Sequence, residues 1–361
     1  MKMNRMSGWL YTHFLQSQLL FVLGDLESSS SNMFCQPAYP STAVILFVLL
    51  VFLDGVYINM VNTSVPATSN CSTIINPHNF GYRINSPQPC SREIKDRLDL
   101  LVWIHSAPGN TRKRSVVRET WANRKHFPAS IDKVKVIFFL GDTKSTKIQD
   151  GLYYESELYR DIVQETYMDS YKDLTYKFMS AMKWITHYCP NTKLILKADD
   201  DTVVDTRLML QQLAKSISYP ENTAINTFLC SIMSGGKPIR EKDNKWEVTL
   251  EEYPRSDYPK YCSGYAVLIS PGLIPTMWEL SLRTKYFWID DVFLGLVAEQ
   301  MHVYINWISL GSHYTLGVHK PEDFHDGQNN SYIFGHTAHR VFVQYKIGSM
   351  LLAKNNDSDI T

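Results

Sequence analysis

The order of apolar and polar positions predicts alternating strands and helices in the central part of the chain. Short apolar runs at 100–105 and 134–140 are typical of buried strands. The basic segment 112–121 lies between them and is predicted to be helical. Between 171 and 189 apolar residues recur at steps of three and four, which indicates an amphipathic helix.

The second half of the chain continues this alternation with less regularity. A strand over 193–198 and a helix over 206–216 are followed by candidate strands near 246–250 and 265–269, and by a helix near 292–300. Alternation of this kind predicts an α/β protein with a largely parallel sheet and helices on both faces. We find no internal repeats.

The N-terminal region has a different pattern. Residues 43–53 are uninterruptedly apolar, Asp54 breaks the run, and 56–61 continues it in weaker form. The segment 43–61 approaches the length that spans a bilayer, so a tilted transmembrane anchor is predicted. A buried core helix and a cleaved signal core are the alternatives, because the only upstream positive charges are Lys2 and Arg5.

Composition excludes several classes of protein. Apolar residues make up 44% of the chain and the formal net charge is zero, so a large core is expected and a nucleic-acid-binding surface is not. No two cysteines form a CxxC pair, which argues against a zinc site, and the sequence leaves the disulfide pairing open. The six cysteines are Cys35, Cys71, Cys90, Cys189, Cys230 and Cys262.

Three adjacent aspartates, Asp199, Asp200 and Asp201, follow the apolar strand that contains Lys197. Neighbouring carboxylates at the end of a buried strand repel one another and lose solvation. Mg²⁺ or Mn²⁺ would relieve both costs, and ligands bind where the strands of an open α/β sheet end. This predicts a divalent-metal site for a phosphate-bearing substrate; the alternative is a solvated acidic turn. The segment lacks the Gly and Glu of an EF-hand.

A second acidic pair, Asp290-Asp291, stands between Trp288 and the apolar start of a helix. Burial raises the pKa of a carboxyl group toward values useful in a general base. The alternative is that one of the two aspartates caps the helix N-terminus.

Two further segments carry candidate binding residues. Arg114 and Arg118 lie four residues apart, so they share a helix face and could hold a diphosphate, or could form a solvated basic face. The segment 258–265 places aromatic residues around Gly264, where they could stack on a sugar ring or pack beside a turn. Trp246 has the same two interpretations, stacking on a sugar ring or packing in the core.

Together these segments resemble the β-1,3-galactosyltransferase and β-1,3-N-acetylglucosaminyltransferase family (glycosyltransferase family 31), over about residues 98–300. The matching motifs, in chain order, are Arg114-xxx-Arg118-x-Thr120-Trp121, Phe139-Leu140-Gly141, Asp169-x-Tyr171-xx-Leu174-Thr175-x-Lys177, Lys197-x-Asp199-Asp200-Asp201, Lys245-Trp246, Glu252-Tyr253-Pro254, Tyr261-Cys262-Ser263-Gly264 and Asp290-Asp291-Val292.

The resemblance implies a GT-A type, Rossmann-like mixed sheet flanked by helices, in a type II Golgi membrane protein. It also implies an inverting transfer from a UDP-sugar to the 3-hydroxyl of an acceptor sugar on a glycoprotein or glycolipid, with Mn²⁺ as cofactor. Motifs of both branches are present, and we favour UDP-galactose over UDP-GlcNAc as donor. The implied organisation is a tail (1–42), a signal anchor (43–61), a luminal stem (62–96), a catalytic domain (97–350) and a C-terminal tail (351–361).

The resemblance also assigns roles to residues. Asp291 is favoured as the catalytic base, with Asp290 beside it. Nucleotide binding is expected of Arg114, Arg118, Lys197, Asp199 and Asp200. Metal binding is expected of Asp199, Asp201 and a C-terminal histidine, for which spacing does not choose among His336, His319 and the nearby His339. Acceptor binding is expected of Trp246, Tyr261, Ser263, Gly264 and Trp288.

Other features depend on topology. In a luminal protein, sequons predict glycosylation at Asn62, Asn70, Asn329 and Asn356. The tail is longer than a short cytosolic stub, so translation could start downstream. The rival functions are a non-catalytic luminal carbohydrate-binding or chaperone-like protein and a metal-dependent phosphohydrolase of UDP-sugars.

Overall fold

The computed structural model describes residues 46–52, 55–61, 73–85, 90, 93, 96–128, 130–217, 226–324 and 332–358. The predicted tail 1–42 and the sequons at Asn62, Asn70 and Asn329 lie outside these ranges. The chain forms two separate units, residues 1–73 and 74–361.

In chain order the helices and strands are β1 (Leu46–Phe52), β2 (Gly55–Val61), β3 (Tyr82–Asn85), β4 (Leu100–His105), α1 (Thr111–Glu119), β5 (Val134–Asp142), α2 (Thr146–Tyr159), β6 (Ile162–Met168), α3 (Leu174–Tyr188), β7 (Ile195–Asp199), β8 (Thr202–Val204), α4 (Thr206–Ile217), β9 (Thr227–Met233), β10 (Tyr261–Ile269), α5 (Leu273–Ser281), α6 (Asp290–Glu299), β11 (Asn306–Ser309), β12 (Tyr314–Thr315), β13 (Phe334–His336) and α7 (Val341–Ser358). Short 3₁₀ helices occur at Arg124–His126, Tyr171–Asp173, Gly311–His313 and Pro321–Asp323.

The described part of the first unit is a pair of strands. β1 and β2 run antiparallel, where the apolar pattern suggested one tilted helix. Their Val-, Ile- and Phe-rich composition has high β-propensity, which competes with helix formation. Within the described part of the chain, none of the helices combines the length and the apolar character that crossing a bilayer requires. The membrane anchor over 43–61 stays a prediction.

The second unit is built on an eight-stranded mixed sheet, in the order β11-β9-β10-β7-β4-β5-β6-β3. The central strands β7, β4, β5 and β6 are parallel, whereas β10 pairs antiparallel with both β7 and β9. The predicted α/β fold with a mixed sheet and flanking helices is thereby confirmed. A second sheet, β12-β13-β8, joins residues beyond 310 to the turn that follows β7.

The core lies on both faces of the main sheet. On one face, Trp103 and Phe139 pack against Trp184 of α3 and Phe293 of α6. On the other face, strand residues such as Phe138 pack against α1 and α2. Every residue of β4 is buried, which explains its uninterrupted apolar sequence.

Part of the segment predicted as a stem belongs to the second unit. β3 pairs antiparallel with β6 and forms one edge of the main sheet, and the side chains of His78 and Glu165 pair in a fully buried position. A disulfide joins Cys90 to Cys189 at the end of α3. A second disulfide joins Cys230 of β9 to Cys262 of β10. At the other end of the chain, α7 extends into the segment predicted as a tail.

The prediction of a strand near 246–250 was wrong. Trp246 and Leu250 are 47% and 69% exposed while Val248 is buried, so the alternation exists, but this segment forms only an isolated bridge between Glu247 and Ile239. A strand needs a neighbour to satisfy its backbone groups, and none lies alongside it among the described residues. The helix α2 and the strands β6 and β9 were not predicted from the sequence.

Candidate active site

The three aspartates leave the sheet where β7 ends. β7 lies between β4 and β10, and Asp199 is opposite His105 in the parallel register with β4. The backbone N–H of Asp200 donates to the carbonyl oxygen of His105, which starts the turn into β8. The predicted position of these carboxylates at the end of a buried strand is confirmed.

Asp200 is held by three donors from the loop after β4 and from α1. Ser106 Oγ donates to Oδ2 over 2.7 Å, Asn110 Nδ2 donates to the same oxygen over 2.9 Å, and Lys113 Nζ donates to Oδ1 over 3.1 Å. Burial raises the pKa of Asp200 despite the Lys113 charge. These bonds fix the turn, and the predicted nucleotide-binding role of Asp200 stays a prediction.

Asp201 faces nitrogen atoms of basic side chains from two directions. Lys113 Nζ lies 3.1 Å from Oδ2, His336 Nε2 lies 3.3 Å from Oδ1 and His339 Nδ1 lies 2.8 Å from Oδ2. Burial opposes ionisation, but the His336 hydrogen bond and the Lys113 charge hold the pKa of Asp201 well below its usual range. Asp201 is therefore a carboxylate at neutral pH.

The fold shows which of the C-terminal histidines lie beside Asp201, which their spacing in the sequence could not show. β13 pairs antiparallel with β8 and places His336 opposite Thr202, beside Asp201. His339 reaches the same carboxylate, whereas the backbone N–H of His319 donates to Asp323. The Asp201 carboxylate raises the pKa of His336 through their hydrogen bond.

Lys197 connects the aspartate run to the second acidic pair. Its ammonium group lies 2.9 Å from Asp199 Oδ1 and 3.9 Å from Asp290 Oδ2, and it donates to the Gly264 carbonyl oxygen. Lys197 is buried, while the Asp199 side chain remains 36% exposed. Burial raises the pKa of Asp199, and the Lys197 charge opposes that rise. The predicted roles of both residues in nucleotide binding stay predictions.

The donor atoms around Asp201 suit a divalent cation, although they are not preassembled. Among the described residues, no group of three or more His, Cys, Asp or Glu side chains is arranged to hold a metal ion. Asp201 and His336 nevertheless bring a carboxylate and an imidazole within 3.3 Å of each other, and Mn²⁺ accepts both ligand types. Cations that bind nucleotides commonly use one or two carboxylates and take further ligands from substrate phosphates.

Arg114 and Arg118 are both engaged with carboxylates of the fold. Arg114 is fully buried, and its guanidinium forms a two-bond pair with Glu155 over 2.7 Å. Arg118 forms a similar pair with Asp161 and also reaches Glu155. In this geometry the arginines attach α1 to α2 and β6. The solvated basic face that their spacing allowed is not formed, because the Arg114 side chain is fully buried and that of Arg118 is 12% exposed. The predicted role of both arginines in nucleotide binding stays a prediction.

The second acidic pair occupies the first turn of α6. Asp291 Oδ1 accepts from the Val292 N–H over 2.8 Å. Burial, and next the charge of Asp290, raise the pKa of Asp291 to about 7. Neither aspartate is the capping residue, because Ile289 occupies that position. A carboxyl group with this pKa can accept a proton from a sugar hydroxyl near neutral pH.

Asp290 points toward a buried histidine. His105 Nδ1 lies 3.6 Å from Asp290 Oδ2. Burial and the charges of Lys197 and Lys177 hold the pKa of His105 well below its usual range, so it is neutral. The two acidic motifs, 199–201 and 290–291, thus meet through Lys197 and His105 at the carboxyl edge of the sheet.

Of the predicted acceptor residues, Gly264 lies against Asp291. Tyr261 and Gly264 lie on β10, and a Cβ added to Gly264 would approach Asp291 Cβ to 3.0 Å. The Ser263 carbonyl oxygen accepts from the Tyr314 hydroxyl over 3.0 Å. Trp288 is 5% exposed, whereas Trp246 is half exposed and donates through Nε1 to the Tyr171 hydroxyl. Their role in acceptor binding stays a prediction.

Sequence reasoning missed several residues of this site. Lys113 stands in the basic segment 112–118 without a spacing that distinguishes it, and Tyr314 lies beyond the recognisable motifs. Gln344 of α7 donates to the Asp200 carbonyl oxygen over 2.9 Å, a contact that spans 144 positions of sequence. The only sign of the contact between Lys113 and the aspartates in the sequence was their opposite charge, and opposite charge alone does not show which residues pair.

Comparisons with known proteins identify the family of this chain. The galactosyltransferase family model matches residues 112–308, more than half of the chain. Human beta-1,3-galactosyltransferase 1 is 29% identical over 230 residues, 64% of this chain and 68% of that protein. Mouse beta-1,3-galactosyltransferase 2 is 32% identical, covering 63% of this chain and 53% of that protein.

A Xenopus laevis protein, lactosylceramide 1,3-N-acetyl-beta-D-glucosaminyltransferase A, is 34% identical over 62% of this chain and 59% of its own length. Among solved structures, a galactosyltransferase complexed with donor and acceptor sugar analogues aligns over 70% of this chain and 95% of that chain, with a TM-score of 0.37 and 9% identity. The sequence matches, which run through both acidic motifs, show that this chain belongs to the galactosyltransferase family and is a hexosyltransferase.

Proposed function

We propose that this chain is an inverting β-1,3-galactosyltransferase of GT-A type that moves galactose from UDP-galactose to the 3-hydroxyl of an acceptor sugar. The observation that carries the proposal is the Asp291 carboxyl group, whose pKa is raised to about 7, at the same sheet edge as the aspartate run. Relatives named as beta-1,3-galactosyltransferases support galactose as the transferred sugar.

The chemistry follows from one in-line displacement. Asp291 takes the proton of the acceptor 3-hydroxyl while that oxygen attacks the anomeric carbon and UDP leaves from the opposite face. Neutral His105 and the Lys197 ammonium orient Asp290 beside the base. Asp201 and His336 would contribute ligands to Mn²⁺, which would supply positive charge beside the departing diphosphate, and Asp199 is the third predicted ligand.

UDP-N-acetylglucosamine is the second candidate donor. The Xenopus laevis relative at 34% identity is named as an N-acetylglucosaminyltransferase, and the Asp290-Asp291-Val292 motif resembles that branch. We also propose, from the apolar run 43–61, a type II anchor in the Golgi membrane with a luminal catalytic unit acting on glycoproteins or glycolipids.

The first test is UDP release by the purified part 62–361 with Mn²⁺ over a panel of UDP-sugars, with and without β-linked Gal, GalNAc and GlcNAc acceptors. Acceptor-stimulated release identifies the transferase and its donor. Equal release without acceptor indicates a phosphohydrolase. UDP binding without release indicates the non-catalytic protein.

Replacing Asp291 with Asn should abolish transfer, because an amide cannot accept the proton, while UDP binding measured by calorimetry stays close to that of the wild type. The expected loss is at least about a hundredfold in rate. Asp132→Asn is the matched control, since the Asp132 side chain is 78% exposed and forms its ion pair with the exposed Arg124. Undiminished turnover in Asp291→Asn removes the base assignment.

A further inference from the structure

Each N–H donor of the Lys113 ammonium group has an acceptor within the protein. Nζ lies 3.1 Å from Asp200 Oδ1, 3.1 Å from Asp201 Oδ2 and 2.6 Å from His339 Nδ1. An ammonium group carries three donors and no acceptor, so these three contacts use its full capacity. The Lys113 side chain is 9% exposed. Lys113 therefore acts on the aspartate turn itself rather than as a contact for substrate phosphate.

The contact with Lys113 also defines the role of His339. Because an ammonium group only donates, His339 Nδ1 is the acceptor in this contact. The same nitrogen lies 2.8 Å from Asp201 Oδ2, which is also an acceptor. Two acceptors this close together are held by the ammonium group that donates to both. The lone pair of His339 Nδ1 is thus engaged by Lys113.

The backbone around His339 is strained. Ala338 and His339 have φ angles of +46° and +66°, in the left-handed region that residues other than glycine seldom adopt. On either side, the Thr337 N–H donates to the Asp201 carbonyl oxygen and Gln344 Nε2 donates to that of Asp200. Strain of this kind persists where the surrounding contacts fix the conformation, and it is concentrated at functional sites.

The two carboxylate oxygens of Asp201 have different neighbours. Oδ2 faces Lys113 and His339, whereas Oδ1 lies 3.3 Å from His336 Nε2. Oδ1 and the His336 imidazole are therefore the ligand atoms that remain for a cation. The positive charge of Lys113 stands at the other oxygen of the same carboxylate, where it repels a second cation.

We propose that Lys113 sets the affinity of the site for Mn²⁺ and keeps it low, because it retains Asp201 Oδ2 and His339 Nδ1 and leaves Asp201 Oδ1 and His336 to the cation. The inference rests on the Mn²⁺ cofactor of the proposed function. Its consequence is that firm Mn²⁺ binding requires the diphosphate of the donor, which brings oxygen ligands and negative charge. Lys113 is thus a positioning residue that acts through Asp201.

The test is a titration of the purified full chain with Mn²⁺, at fixed pH and salt and without UDP, in which electron paramagnetic resonance measures the free ion. Lys113→Met should bind Mn²⁺ at least about tenfold more tightly, because it removes a positive charge and releases two ligand atoms. Lys113→Arg keeps the charge and should stay within about threefold of the wild type. A damaged site would bind Mn²⁺ more weakly, so a purely structural role of Lys113 predicts the opposite change.

Two further variants complete the comparison. Lys193→Met is the matched control, since the Lys193 side chain is 60% exposed and pairs with Asp99, where β4 begins, at the other end of the sheet; it should leave the Mn²⁺ affinity unchanged. Lys113→Gln removes the charge but keeps N–H donors for the aspartates. It should also tighten Mn²⁺ binding, and it replaces Lys113→Met if that variant does not fold.

The possible results separate this inference from the proposed function. Mn²⁺ binding that is unchanged or weaker in both Lys113→Met and Lys113→Gln overturns the inference, even in a protein that transfers galactose. Tighter binding in these variants of a protein that transfers no sugar supports the inference and overturns only the transferase. If neither the wild type nor any variant binds Mn²⁺, with or without UDP, the Mn²⁺ cofactor and the inference are both wrong.

Discussion

At the scale of single residues, the site is a set of charges that compensate one another. Lys113 and Lys197 are both buried lysines, and each lies between two carboxylates: Asp200 and Asp201 for Lys113, Asp199 and Asp290 for Lys197. Breaking one partner of such a pair is strongly destabilising, because it leaves a charge buried and unpaired. The high density of carboxylates is therefore tolerated only because these lysines lie beside them.

The same charges make a prediction about pH. In the proposed mechanism the base is the Asp291 carboxylate, and its pKa of about 7 means that the rate of transfer should fall as the pH drops below 7. Asp290 contributes to the raised pKa through like-charge repulsion, while Lys197 acts in the opposite direction. Asp290→Asn should therefore move the acidic limb of the pH–rate profile to lower pH.

Initial rates measured across pH 7 with saturating donor check this prediction. Asp132→Asn, at an exposed position distant in sequence, should leave the limb where it is in the wild type. An acidic limb that does not move in Asp290→Asn would show that a different group controls the rate.

At the scale of elements, the position of Asp290 and Asp291 depends on how closely α6 approaches β10. Gly295 lies in the second turn of α6, and a Cβ added there would meet the Lys260 carbonyl oxygen at 2.8 Å and Tyr261 Cβ at 2.9 Å. These atoms belong to the chain entering β10, so they cannot move aside as a flexible side chain could. The helix itself would have to shift, together with the two aspartates.

Gly295→Ala should accordingly lower the free energy of unfolding by about 1–3 kcal/mol and reduce the rate of transfer. Chemical denaturation and the UDP-release assay measure the two effects. Gly151→Ala is the matched control, because Gly151 lies in α2 with open space around its Cβ position. That variant should be neutral or more stable by up to about 1 kcal/mol. If Gly295→Ala behaves like Gly151→Ala, α6 does not depend on this close contact.

At the scale of the whole molecule, the catalytic unit includes chain segments that lie far apart in sequence. Strand β3 pairs with β6 and forms one edge of the main sheet, and the disulfide between Cys90 and Cys189 joins residues 99 positions apart. At the other end, His336 and Gln344 come from beyond residue 308, where the family match ends. Both ends contribute to the stability or the geometry of the centre.

A protein beginning at residue 97 should therefore be less stable than one beginning at Ile74. The missing disulfide alone typically costs about 2–5 kcal/mol, and β6 would lose its edge partner. Thermal unfolding of both lengths measures the difference. Cys90→Ser in the longer protein isolates the contribution of the disulfide from that of β3. Equal stability of the two lengths would show that the segment before residue 97 is dispensable.

The features that could be predicted from the sequence are those that depend on residues close together in the chain. The strands at 100–105 and 134–140, the helix at 171–189 and the aspartates at the end of a buried strand were predicted correctly, because each follows from a local apolar pattern. The polar helix α2 was missed, since Tyr154 and Leu158 are exposed and blur its apolar face. The segment 246–250 has a local strand pattern but lacks the neighbour that only tertiary structure supplies.

The sequence by itself determined the α/β class, both acidic motifs and the family resemblance, because these depend on residue type and short-range spacing. Only the tertiary structure decided which histidines reach Asp201, how the four cysteines of the second unit pair and what the two arginines contact. His336 comes to Asp201 because β13 pairs with β8, and Arg114 is withdrawn from solvent because α2 places Glu155 against it. Such contacts join residues whose separation in the chain carries no information about their distance in space.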